Sequence, residues 1–382
     1  MRPAILAIED GTVFHGTSFG AHVDAAGELV FNTATTGYQE IITDPSYKGQ
    51  MVTMTYPMIG NCGVNPDDVE SEKPHLEALI IHELSRIASN YRATEPLDAY
   101  LARNGVAGFQ GVDTRTLTML LRERGNLRAV LSSTETSADT LVDRARAVPP
   151  MEGSDFVKVV TCDKMYAWDP DDTLSVEWQD AHRAAHAPLA LQPITHHVVA
   201  LDCGIKRNIM RVLRQIGCRV TVVPAGTTAP QIMALKPDGL FISNGPGDPA
   251  TLPYVFDEVK ALLGAVPIFG ICLGHQMLGL AFGGKTFKLK FGHHGANHPV
   301  MNNSSHKVEI TSQNHGFSVD FASLDPEVIE LTHTNLNDKT VEGLRHKKLP
   351  VFSVQYHPES APGPHDPFYL FNEFKRMMSR AA

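Results

Sequence analysis

Gly270-Ile271-Cys272-Leu273-Gly274 is the segment of this sequence best suited to nucleophilic chemistry. The apolar run AVPIFGI leads into it and LGHQMLGLAFG leads out. That order predicts a strand, a tight turn and a helix. Two flanking glycines permit such an elbow, which pushes its central side chain out at the top of a sheet. A cysteine there sits at a helix N-terminus, where unpaired N–H groups and the helix dipole favour a thiolate. The same turn aims the backbone N–H of Leu273 at the place where an oxyanion would form. An isolated cysteine usually reads as a small buried core residue; the strand–GxCxG–helix setting is what favours a nucleophile here.

A thiolate attacking an amide needs a base and then an acid for the leaving group. With 18 histidines in the chain, the presence of one carries no information. The segment VFSVQYHPES does. It predicts a strand that delivers His357, a proline that stops pairing, and Glu359 two residues on. In an extended segment those two side chains share a face. Glu359 can then orient the His357 ring and stabilise its imidazolium, as the third member of a triad does. Taken alone, the pair reads equally well as a strand-end histidine beside a solvated carboxylate. In SNGPGDPA, Gly245 and Gly247 flank Pro246 after the apolar DGLFI. Backbone amides at the carboxyl end of a strand can approach a substrate there, although such a loop by itself is an ordinary turn.

Three other patterns suggest different chemistry, and their contexts argue against it. Gly279 to Thr286 matches GxxxxGK[ST], but a helix precedes it and a strand follows, the reverse of what a phosphate loop requires. Gly16-Thr17-Ser18-Phe19-Gly20 matches a serine elbow with no helix after it. His293, His294 and His298 have no Cys, Asp or Glu at ligand spacing, so they read as a polar loop near the site and no metal is expected.

The elements that must position these residues follow from the texture of the chain. From Val198 onward, apolar runs alternate with amphipathic stretches: VVALDCG, KRNIMRVLRQIG, CRVTVVPAG, APQIMALK, DGLFISNGPGDP, YVFDEVKALLG, AVPIFGI and LGHQMLGLAFGG. This predicts βαβ units and a mostly parallel, doubly wound sheet, with sites at the carboxyl ends of its strands. KTFKLKF to VFSVQYHPES reads as added strands and YLFNEFKRMMSR as a closing helix. Residues 1–150 predict a separate strand-rich α/β domain, with helices over TRTLTMLLRERG and SADTLVDRARAV. Residues 151–195 form an irregular connector, with AHRAAHAPLALQPITHH as its linker candidate, and 196–382 the second domain. A chain of 382 residues suits that division. With 43% hydrophobic and 20% charged residues, each domain can bury a core. A net charge of −9 argues against nucleic acid as a partner. No apolar run reaches the roughly 18 residues of a membrane span, and the N-terminus lacks the regions of a signal peptide. Five scattered cysteines without CxxC suit a reducing cytoplasm.

Taken together, NGPGDP, GICLGHQ and YHPE, in that order, resemble the signatures of class I glutamine amidotransferases. FNTATTGYQEIITDPSYKGQ, ASNYR, GVDTRTLTMLLRERG, FGHHGANHPV and TSQNHGFSV narrow the resemblance to the small-subunit family of carbamoyl-phosphate synthetase. It covers nearly the whole chain, the connector least. The resemblance implies glutamine hydrolysis, with Cys272 as nucleophile, His357 as acid and base, and Glu359 as its orienter. It implies a glutamine site built from Ser46, Gly245, Gly247, Leu273, Gln276, Asn314, Gly316 and Phe317. It implies no cofactor in this chain. ATP and a divalent metal belong to a large synthetase subunit, which receives the ammonia through an internal tunnel and makes carbamoyl phosphate for arginine and pyrimidine biosynthesis. The competing readings are a subunit that feeds another synthase, a stand-alone cysteine hydrolase or peptidase, and a non-catalytic binding subunit.

Overall fold

The computed structural model describes residues 2–176 and 191–381. The first part of the suggested linker, 181–190, lies outside the described residues.

Seven strands of the N-terminal region close into a barrel. Around it run Arg2–Ile8, Val13–Gly20, Ala107–Gln110, Ala78–Ile80, Gln50–Met54, Ala25–Asn32 and Leu127–Ser132. Ala25–Asn32, Gln50–Met54, Ala78–Ile80 and Ala107–Gln110 pair in parallel, and the other junctions are antiparallel. Closure removes free sheet edges. The helices fall where the sequence places them. Asp113 caps Thr114–Arg124 by accepting from the N–H of Thr116, and Gly125, at φ 98°, ends it. Ser137 caps Ala138–Ala147 in the same way.

The second region is built on a ten-stranded sheet. Its five central parallel strands are Cys218–Pro224, His196–Asp202, Gly239–Ile242, Ile268–Ile271 and Val351–Val354. Both faces are covered. Val198 and Ala200 join one apolar cluster, Val199 and Leu201 the other. That two-sided burial is why VVALD reads as an unbroken apolar run. Beyond Val351–Val354 the sheet continues antiparallel through Val341–His346, Ile329–Asn335, Lys285–Asn302 and Lys307–Asp320. Within the irregular connector, Tyr166–Ala167 adds an edge strand to this sheet and Trp168 is buried against it. Among the described residues, no helix is long and apolar enough to cross a membrane, and all five cysteines are free.

The barrel and the sheet share a polar seam. Glu70, buried, accepts from the backbone N–H groups of Arg207 and Asn208. Thr33 N–H donates to the His294 carbonyl at 3.2 Å. Gly37 lies so close to Pro362 that an added Cβ would meet a ring carbon at 2.1 Å.

Candidate active site

Cys272 stands between the strand Ile268–Ile271 and the helix Leu273–Ala281 with φ 55° and ψ −105°. A non-glycine residue held at positive φ is strained, and strain of this kind collects at functional sites. The flanking glycines are needed for a reason other than turn freedom, because neither has positive φ. A Cβ on Gly270 would lie 2.6 Å from the Gly274 carbonyl oxygen, and one on Gly274 would lie 2.2 Å from that of Ile242. They let the helix start pack directly onto two strands, which fixes the elbow while Cys272 itself carries the strain.

His357 lies past the end of Val351–Val354 and bridges to Ser312 of the neighbouring long strand. The chain then turns, with Ser360 N–H donating to the His357 carbonyl. Glu359 therefore reaches the ring through a turn, not along one face of an extended strand as the sequence suggests. The contact is short all the same, 2.7 Å from Nδ1 to Oε1. The other ring nitrogen, Nε2, makes no hydrogen bond among the described residues and feels the Cys272 side chain. The Cys272 thiol donates to the Asn314 carbonyl at 3.5 Å. Burial works against charge on His357, but Glu359 and then Cys272 raise its pKa. Burial likewise works against the Glu359 carboxylate, and the positive charges of Lys206 and His357 overcome it and lower the pKa.

Lys206 is the member of this group that the sequence reading misses. Its Nζ donates to Glu359 Oε1 at 2.8 Å and to the Ser360 carbonyl at 2.9 Å. It is buried, and Glu359, Glu70 and Asp44 hold its pKa up against the effect of burial. The available signal is its place: a charged residue in the loop that follows the strand His196–Asp202, at the carboxyl end of the sheet.

One cleft, about 360 Å3 with its mouth, brings together most of the expected substrate residues. Ser46 comes from the barrel side, Gly245 and Gly247 from the loop after Gly239–Ile242, and Cys272 and Gln276 from the elbow. Asn314, Gly316 and Phe317 come from Lys307–Asp320. Leu273 is buried behind them and can contribute only its backbone. His294, from the polar loop expected near the site, also lines the cleft, as do Gln50, Met151 and His315, which the sequence reading does not place there. The barrel loop is pinned in place: Ser46 Oγ accepts from Asn244 Nδ2 at 2.8 Å, and Asp44 accepts from Asn314 Nδ2 at 2.8 Å. A second cavity is lined by His357, Lys206, Asp44, Tyr47, Glu40 and Pro362 among others.

His293, His294 and His298 do not converge on one point. Among the described residues, metal-ligand spacing occurs instead at His293, His315 and Glu342. Those side chains are turned on Asp338, Gln313 and Asn335. Gly279 to Thr286 is a helix end followed by a strand, and Gly16 and Ser18 lie within Val13–Gly20.

Two family models match the chain. Glutamine amidotransferase class-I covers residues 199–377, and the carbamoyl-phosphate synthase small chain CPSase domain covers 6–131. The carbamoyl phosphate synthase small chain of Syntrophotalea carbinolica is 53% identical over 99% of this chain and 98% of its own. That of Chlorobaculum tepidum is 54% identical, again over 99% and 98%. The chain belongs to the carbamoyl phosphate synthase small chain family. A chloroplastic member from rice, 50% identical, aligns with 99% of this chain and 82% of its own length.

This membership gives the barrel its significance at the cleft, because Ser46 arrives there from the small-chain domain and not from the amidotransferase domain. Ser46→Ala is expected to raise the KM for glutamine by on the order of tenfold, the scale of one lost hydrogen bond, with kcat largely kept. Steady-state kinetics check this; unchanged glutamine kinetics would place Ser46 outside the substrate site.

Proposed function

We propose that the chain hydrolyses L-glutamine to L-glutamate and ammonia, with Cys272, His357 and Glu359 as its triad, and passes the ammonia to a large synthetase subunit. The observation that carries this reading is the position of Cys272, strained at φ 55° between the paired His357–Glu359 and a cleft that both domains line.

In the reaction, Cys272 Sγ attacks the side-chain carbonyl carbon of glutamine and its proton goes to His357. The backbone N–H groups of Leu273 and Gly245 stabilise the oxyanion of the tetrahedral intermediate. The intermediate collapses, the C–N bond breaks, and His357 gives its proton to the departing nitrogen. A glutamyl thioester remains on Cys272. His357 then takes a proton from water, which attacks the thioester and releases glutamate and the thiol. Glu359 keeps Nδ1 protonated and Nε2 facing the reacting atoms, and Lys206 holds Glu359 ionised in a buried place. Ammonia leaves on the His357 side, into the second cavity along the seam between barrel and sheet. No step uses a metal or cofactor in this chain; ATP and a divalent metal act on the large subunit. The two domains, 1–150 and 196–382, work as one unit, and the reducing cytoplasm is their compartment.

The test compares substrates. Free L-glutamine is hydrolysed and glutaminyl peptides are not; adding the large subunit with ATP and bicarbonate turns the released ammonia into carbamoyl phosphate. Comparable cleavage of peptides would favour a stand-alone hydrolase.

A further inference from the structure

Behind the cleft, a chain of buried polar contacts leads away from the substrate site. The Phe317 carbonyl, which accepts from Gln276 Nε2 at 2.9 Å, lies 2.8 Å from His315 Nδ1. His315 Nε2 lies 3.0 Å from the side-chain amide of Gln313, whose other end lies 3.0 Å from Glu342 Oε2. Glu342 is fully buried, and its second oxygen accepts from Asn335 Nδ2 at 2.7 Å and faces His293 Nδ1 at 3.6 Å. His293 Nε2 closes the chain on Asp338 at 2.7 Å.

The contacts Phe317–His315, His315–Gln313 and Gln313–Glu342 each need one hydrogen between their heavy atoms. A neutral imidazole has one N–H. A primary amide offers hydrogens at one end only, whichever way it is turned, and a carboxylate offers none. Two hydrogens would have to serve three contacts, and one contact would set lone pair against lone pair at 2.8 to 3.0 Å.

We propose that His315 and Glu342 share one additional proton through the Gln313 amide, and that this proton holds the Phe317 carbonyl and Gln276 in place for glutamine, which makes Glu342 a positioning residue. Gln313 Nε2 also donates to Thr311 Oγ1 at 3.1 Å, and that hydroxyl donates to the His298 carbonyl at 3.0 Å. Turning the Gln313 amide over, with the Thr311 hydroxyl swinging from that carbonyl to the amide oxygen, moves the proton's site between the two groups without moving a heavy atom. The groups that face the cluster from neighbouring strands are His293, His294, His298, Asp338 and Tyr356. Burial, and then the charge of His293, pushes His315 well down. Burial works against charge on His293 too, yet Asp338 and Glu342 raise it to about 9. The proposal rests on the cleft being the glutamine site.

The test is the KM for glutamine against pH, in the full chain with its large subunit, for wild type, Glu342→Gln and Asp338→Asn. In wild type, KM is expected to rise by up to about tenfold per pH unit once the shared proton is released, as one linked proton requires. Glu342→Gln supplies the third hydrogen permanently, so its amide should give a KM free of that rise. Titration of glutamine's own amino group and of the triad is common to both proteins. Asp338 lies at the outer end of the chain with a 40% exposed side chain, so Asp338→Asn tests the proposal even where the buried variant folds poorly. It lessens the charge on His293 and should move the rise to higher pH. A wild-type KM that stays flat, a Glu342→Gln profile superimposable on wild type, or a stoichiometric metal bound at His293, His315 and Glu342 would overturn the shared proton while leaving glutamine hydrolysis standing. A wild type with no glutaminase activity would overturn the function and this proposal with it.

Discussion

Cys272→Ser is expected to abolish glutamine hydrolysis, with a loss on the order of 10^4-fold or more, the scale seen when a covalent catalyst loses its nucleophile. The side chains differ by one atom and Cys272 is buried, so the fold and melting temperature should change little. The strained φ of 55° belongs to the elbow and stays with it. The loss is chemical: a serine hydroxyl beside the same histidine is a far weaker nucleophile at neutral pH than a thiolate. Synthesis of carbamoyl phosphate from free ammonium by the assembled partner should persist, because ammonium bypasses this site. Near-normal glutaminase activity in the serine variant would remove Cys272 from the chemistry.

His357→Asn should cost about 100- to 10,000-fold in glutamine hydrolysis, the range of general acid–base catalysis. Glu359→Gln should cost less activity, because an amide oxygen can still accept from Nδ1. It should cost more stability. Glu359 is the carboxylate that Lys206 contacts at 2.8 Å in a buried place. Removing one partner of such a pair costs about 3–5 kcal/mol, lessened here by the carbonyl of Ser360 and the nearby Glu70. The pH signs follow from the shifts. The lowered pKa of Glu359 contributes stability that is present above the unfolded carboxylate range and lost as pH falls through the folded value. The raised pKa of His357 contributes stability that is present below its unfolded value and lost as pH rises through the folded one. Kinetics and melting curves separate the two variants: equal activity losses, or a more stable Glu359→Gln, would mean that the roles are misassigned.

The sequence carries the elbow because its signal is local. A strand, two small residues around a cysteine and a helix are contiguous, and so are the caps at Asp113 and Ser137. The parallel strands are legible for the same reason, since burial on both faces leaves unbroken apolar runs. Closure of the barrel is less legible, because it depends on pairing Leu127–Ser132 with Arg2–Ile8 across most of the domain. The turn that joins His357 to Glu359 escapes a strand-based reading because Pro358 and the bridge to Ser312 bend the chain. Lys206 escapes for a different reason. A lysine after a strand usually meets solvent, and only the fold shows that Glu70 from the barrel and Glu359 from the last loop surround it. The shared cleft also needs the fold, because Ser46 and Cys272 meet only once the barrel has docked.

The central claim is covalent catalysis by Cys272 on glutamine, and acid-quenched mass spectrometry during turnover tests it most directly. The account predicts a glutamyl adduct on the peptide that contains Cys272, present in wild type with L-glutamine, released by hydroxylamine, and absent from Cys272→Ser. Glutamine turnover with no adduct on that peptide under rapid quenching, or an adduct on another cysteine, would contradict it.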